Sequence, residues 1–189
     1  MIHFLKQLYE SVFSVIQDIT DDWLPGLAAR LIFSSALLVY FLNSAMTKVG
    51  SGFPGMFIVK DNTYAQMFPK LFESVGYDAS QISFVPYGLI AYAGTYAEFI
   101  LPVLILVGLF SRAAALGFIG FIGVMTWTDI TGHDVDTKTI GSFFDRVPDS
   151  VIADQRLLWL FPLIYLIIRG PGLISLDTVL GRMFRRETI

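Results

Sequence analysis

Glu98 is a carboxylate set alone inside an apolar run of membrane length: residues 96–112 read YAEFILPVLILVGLFSR and close on Arg112. An ionisable side chain at such depth is costly unless it is paired or reaches water, so it marks a site fixed by function or by architecture. Pro102 stands four residues further on, where it withholds the N–H that would bond the Glu98 carbonyl and predicts a kink. Paired with a cation, such a carboxylate is suited to proton handling within a membrane. Tyr92, Tyr96 and Trp159 could wall a quinone-sized pocket, although interface belts and core packing use the same residue types. His133, Asp134 and Asp136, in GHDVD, are donors for a hard or borderline cation. Their spacing completes no metal motif, and a solvated acidic loop accounts for them more simply.

These residues need a scaffold, and composition bounds it. With 54% hydrophobic and 15% charged residues and a mean hydropathy of +0.64, the chain is more apolar than a soluble domain of 189 residues requires. Several apolar windows approach the ~20 residues a helix needs to cross hydrocarbon, and strand-like alternation is absent. The fold class is therefore all-α, a polytopic four-helix membrane bundle. The chain has no cysteine, which excludes thiolate chemistry and iron–sulfur clusters held by this chain alone. Any redox role needs a partner or a bound cofactor. A net charge of -3 argues against nucleic acid as a ligand.

In chain order, residues 1–26 form an amphipathic surface helix and linker, with Leu5, Leu8, Val12, Val15, Ile16 and Ile19 at helical spacing. A signal peptide is the competing reading, but the purely apolar stretch and small-residue cleavage site are missing. The membrane domain covers 27–177, with spans near 27–46, 85–110, 113–128 and 151–168. Arg30 is expected to snorkel at the start of the first span. The loop 47–83 has structure of its own, a GSGFPG turn cluster and a short helix that packs on the bundle or lids it. The fourth span needs extension: its uninterrupted run, 157–168, is about 18 Å of helix and cannot cross, so it must begin near Val151 and draw Asp154, Gln155 and Arg156 inward. Residues 178–189 form a basic tail that suits anionic headgroups.

Four spans put both termini on one side, the inner one. Counting equal depths along the spans rings Glu98 with Asn43, Thr126, Asp154 and Arg156, with Lys48 at the mouth. Arg156 becomes the expected partner of Glu98, and Arg112 moves to the opposite surface. Glu98 and Asp154 against Arg156 and Lys48 sum to zero, as buried charges require. The same network could instead only fix helix register. Seven basic residues on the inner side face six on the other, and their concentration near span ends orients both termini to the cytoplasm.

The run AEFILPVLILVGLFSRAAAL (97–116), the close of the first span in NSAMTK, and the exit RGPGLISLD (169–177) together resemble the DoxX family of small four-helix membrane proteins. The resemblance implies a bacterial inner-membrane protein in which Glu98, Arg112 and Lys48 match the family's polar positions. It further implies an accessory or quinone-interacting subunit of a redox system, by analogy with the thiosulfate-to-quinone component that names the family and with members that accompany redox or sulfur enzymes. The expected partners are the lipid bilayer and a redox enzyme subunit, with self-association as a further option. The alternative is a non-catalytic scaffold or small-molecule carrier. An autonomous channel has less support, since no inverted halves repeat.

Overall fold

The structure is a computed structural model that describes residues 1–186. Helix α1 (Ile2–Thr20) segregates its apolar residues on one half of its circumference, yet none of them is buried. It leads through Asp21–Trp23 into α2 (Leu24–Lys48), whose first turn accepts Pro25 because the leading N–H groups of a helix have no intrahelical partner. The outer loop carries α3 (Asn62–Met67) and α4 (Pro69–Ser74). A bent segment, Phe84–Gly88, then leads into α5 (Leu89–Val107), which passes through the buried Pro102 as one element. Helices α6 (Ser111–Thr131) and α7 (Thr137–Ile140) follow. A wide turn at Val151–Arg156 starts α8 (Leu157–Arg169), and α9 (Leu176–Arg186) ends the described chain. Four segments, Leu24–Lys48, Phe84–Val107, Ser111–Thr131 and Val151–Arg169, are long and apolar enough to cross a membrane, as the all-α expectation required.

The four spans form a ring in which α2 packs on α5 and α8, and α6 packs on the same two helices. Each turns a stripe at i, i+3, i+4 spacing inward. On α2 it runs Ala29, Phe33, Leu37, Phe41, Ala45, Lys48, and on α5 Ala91, Thr95, Glu98, Pro102, Ile105. Ala114 and Ala115 on α6 are small enough to admit the large α2 rings. Phe118 then meets Phe33 and Phe41 edge to face, with centroids 4.9 and 4.8 Å apart.

Two span boundaries differ from expectation for local reasons. Helix α5 stops at Val107 rather than 110 because Gly108 takes the left-handed conformation, φ 69°. Helix α6 runs past 128 to Thr131, because no helix-stopping glycine occurs between Gly123 and Gly132. The fourth span does begin at Val151: the Gln155 N–H donates to the Ser150 carbonyl, five residues back, and that wide turn supplies the missing length.

The inner end is locked by polar contacts. Arg30 is not at the surface but 4% exposed, and its Nη1 donates to the Ile174 carbonyl at 2.9 Å. Asp177 of α9 accepts from the Phe110 and Ser111 N–H groups at 2.6 and 2.9 Å, capping α6 across the chain. The Asp177 N–H donates to the Gly108 carbonyl at 2.8 Å.

Candidate functional site

Glu98 pairs with Lys48, not with Arg156. Lys48 closes the inward stripe of α2 one turn beyond Ala45, and its four-carbon stem folds back along the helix. The ammonium lies 2.9 and 3.1 Å from the two Glu98 oxygens and 2.7 Å from Ser44 Oγ. Lys48 and Glu98 are only 3% and 5% exposed. Each charge is thus neutralised where water cannot do so, and the pair joins α2 to α5. The depth count placed Lys48 at the mouth because it located backbones and ignored the reach of the lysine side chain.

Arg156, also 5% exposed, makes a second pair. Its Nη1 donates to Thr126 Oγ1 at 2.6 Å and its Nη2 to Asp129 Oδ2. Asp129 lies just past the expected end of the third span at 128, but the longer α6 holds it within the helix and faces it to the fourth span. Asp154 leaves the expected network: its carboxylate accepts from the Ser150 N–H and hydroxyl at 2.9 and 2.7 Å, folding the wide turn. Charges still cancel locally, with Asp129 in place of Asp154.

A cleft of about 520 Å³ opens beside the first pair. Its walls are Ile90, Ala93, Gly94, Ala97 and Leu101 on α5 and Gly117, Phe121, Val124 and Met125 on α6. Ser44, Lys48, Glu98, Thr128, Asp129 and His133 supply its polar lining, and Gln66, Met67 and Phe68 from α3 and the residue after it cover one side. Small residues make the space: a Cβ on Gly94 would come within 2.8 Å of the Met67 methyl. The volume and lining suit an apolar molecule with one polar head, within the ~300–1,000 Å³ of ligand pockets generally.

The other expected residues lie elsewhere. Asn43 is exposed on α2. Tyr92 and Tyr96 hold the outer loop, the Tyr92 hydroxyl accepting from the Val59 N–H and the Tyr96 hydroxyl donating to the Met56 carbonyl, both at 3.4 Å. Trp159 packs against Tyr40 and Phe41 at 6.1 and 6.3 Å, on another part of the bundle from the cleft. His133 Nε2 meets the Gln66 carbonyl at 2.9 Å, Asp134 pairs with Lys70 at 2.9 Å, and Asp136 caps α7. These three engage separate partners, and among the described residues no group of three His, Asp or Glu side chains is arranged to hold a metal. Arg112 lines a separate recess at the inner end with Arg169 and Asp177.

Ser44 and Asp129 are the site residues that depth counting missed. The inward stripe points to Asp129, one turn beyond Met125 and Thr126 and two beyond the buried Ile122; Ser44 had no comparable signal. No curated protein and no solved structure matches the chain. The DoxX family model matches residues 26–130, from α2 through α6, and so takes in Ser44, Lys48, Glu98 and Asp129 but stops short of Arg156. Covering more than half of the 189 residues, that match shows that the chain belongs to the DoxX family.

Proposed function

We propose that this membrane protein is the quinone-interacting accessory subunit of a redox system that handles sulfur compounds or oxidative stress. The observation that carries the reading is an apolar cleft with the buried Lys48–Glu98 pair on its lining. Reduction of a quinone takes up two electrons and two protons. With no cysteine in the chain, the electrons come from a partner enzyme docked on the membrane. The Lys48 ammonium would exchange its bond to Ser44 for one to a quinone carbonyl, and Glu98 would take up protons from water and deliver the two in turn. Asp129 and His133 also line the cleft, where α6 ends and the outer loop begins. In this reading the protein sits in a bacterial inner membrane with both termini cytoplasmic, and Glu98 and Arg156 belong to separate ion pairs.

A second reading has an observation of its own. The ammonium of Lys48 is already satisfied by both Glu98 oxygens and Ser44, so the unit is self-sufficient and could act only as a scaffold element. Glu98→Gln separates the two. In membranes carrying the redox partner, quinone-dependent turnover per molecule of accumulated variant should be lost. Wild-type turnover refutes the quinone role, and reduced abundance with normal turnover per molecule favours the scaffold.

A further inference from the structure

Residues 49–59 read VGSGFPGMFIV and carry no charge, although Lys48 precedes them and Lys60 and Asp61 follow. The segment doubles back on itself. Val49 and Val59 form an antiparallel bridge, the Gly50 N–H donates to the Ile58 carbonyl at 3.0 Å, and the Lys60 N–H donates to the Lys48 carbonyl at 2.8 Å. At the tip, the N–H groups of Met56, Phe57 and Ile58 donate to the carbonyls of Gly52, Pro54 and Gly55 at 2.8, 2.9 and 2.9 Å. The two arms close tightly because Gly50 and Gly55 meet: a Cβ on Gly50 would lie 2.7 Å from the Gly55 oxygen. Much of this backbone is therefore bonded to itself, as non-helical chain at membrane depth requires.

While Val49 at its base is buried, the side chains at its tip are exposed. Phe53 is 84% exposed, Ile58 58%, Phe57 52% and Met56 48%, and the Phe53 and Phe57 rings meet edge to face with centroids 5.7 Å apart. The bonds to Tyr92 and Tyr96 fix the height of this surface. Tyr96 is seven residues inside Leu89, about 10 Å along the axis. A long helical side chain leans back toward the N-terminus by about one turn, ~5 Å. Met56 therefore lies ~5 Å inside the outer end of α5, beside the helix and not above it. Phe84, 59% exposed and 6.1 Å from Tyr92, continues the apolar band outward.

We infer that residues 49–59 are a membrane-dipping hairpin whose Phe53, Met56, Phe57 and Ile58 side chains insert into the leaflet opposite the termini. Lipid is the occupant that the position selects, because the surface is uncharged, aromatic, at span depth and continuous with the exposed flank of α5. Helix α3 follows the hairpin and is tied to its base, since Thr63 Oγ1 donates to the carbonyl of Lys48, the α2 residue from which the hairpin starts, at 3.1 Å. Insertion would hold in place the segment that covers the cleft.

A cysteine-free chain makes the test direct. Single variants Phe53→Cys and Phe57→Cys of the full chain, with Ile100→Cys as the lipid-facing reference and Lys70→Cys as the water-facing one, are spin-labelled. They are reconstituted in phosphatidylethanolamine/phosphatidylglycerol vesicles, and collision rates with oxygen and with a water-soluble nickel chelate are measured. The hairpin labels should show an oxygen-to-nickel ratio several-fold above that at Lys70 and below that at the deeper Ile100. Ratios at the Lys70 level overturn the inference. So does shielding from both reagents, which would mean a protein surface covers the hairpin.

Discussion

Breaking the Lys48–Glu98 pair one side at a time, and then altogether, tests what holds α2 to α5. Both side chains are nearly inaccessible, and the ammonium contacts both carboxylate oxygens. Lys48→Met leaves Glu98 buried without its cation, and Glu98→Leu leaves Lys48 without its anion. Removing one member of a buried pair costs about 3–5 kcal/mol, whereas replacing both by apolar residues of similar volume is often neutral. Here the double replacement also strips Ser44 Oγ of its donor, worth about 1 kcal/mol. For a chain of this size 1 kcal/mol moves the midpoint by about 2–4 °C, so each single variant should melt roughly 10 °C lower and the double variant within a few degrees of wild type. Thermal unfolding of purified protein, followed by tryptophan fluorescence, gives the three shifts. A double variant whose loss equals the sum of the two single losses would refute the pairing.

Gly108→Ala should destabilise the inner end by about 3–5 kcal/mol, combining the cost of a left-handed alanine with the loss of a charge-assisted hydrogen bond. The new Cβ would stand 2.0 Å from Arg30 Nη1 and displace the guanidinium from Ile174. A melting temperature unchanged from wild type contradicts that packing. Asp136, on the outer loop, has its carboxyl held below the usual carboxylate range by the N–H and then the hydroxyl of Thr139. A depressed folded-state value means that its cap contributes above the unfolded carboxylate range and is lost as pH falls through the folded value. NMR titration of the Asp136 side chain should give a midpoint below that of an unfolded reference peptide, and an equal midpoint shows that the cap is not formed in solution.

The four spans were legible because apolar length survives any detail of packing, and the arithmetic of residues 157–168 forced the fourth span back to Val151. Glu98 was legible as a buried group because nothing charged lies near it in sequence. Its partner was not. Depth counting assumes parallel axes and short side chains, while Lys48 reaches back a full turn to Ser44. Asp129 was hidden because the third span was expected to end at 128, although the helix continues through Thr131 until Gly132. The i, i+3, i+4 stripe is the better guide. It carries Lys48 next to Ala45, Asp129 beyond Ile122, and Arg156 beside Ala153, and all three turn inward. Trp159, Tyr92 and Tyr96 had no such discriminator, since aromatic side chains serve packing and ligands alike.

The most direct test of the proposed site is photoaffinity labelling of the purified protein in vesicles with an azido-substituted short-chain quinone, followed by peptide mapping. The account predicts label on α5 and α6 at cleft residues such as Ala97, Phe121 and Met125, displaced by unmodified quinone and abolished by Gly94→Leu, which fills the cleft. Labelling that is spread over the lipid-facing surface, or that survives both competition and Gly94→Leu, would contradict it.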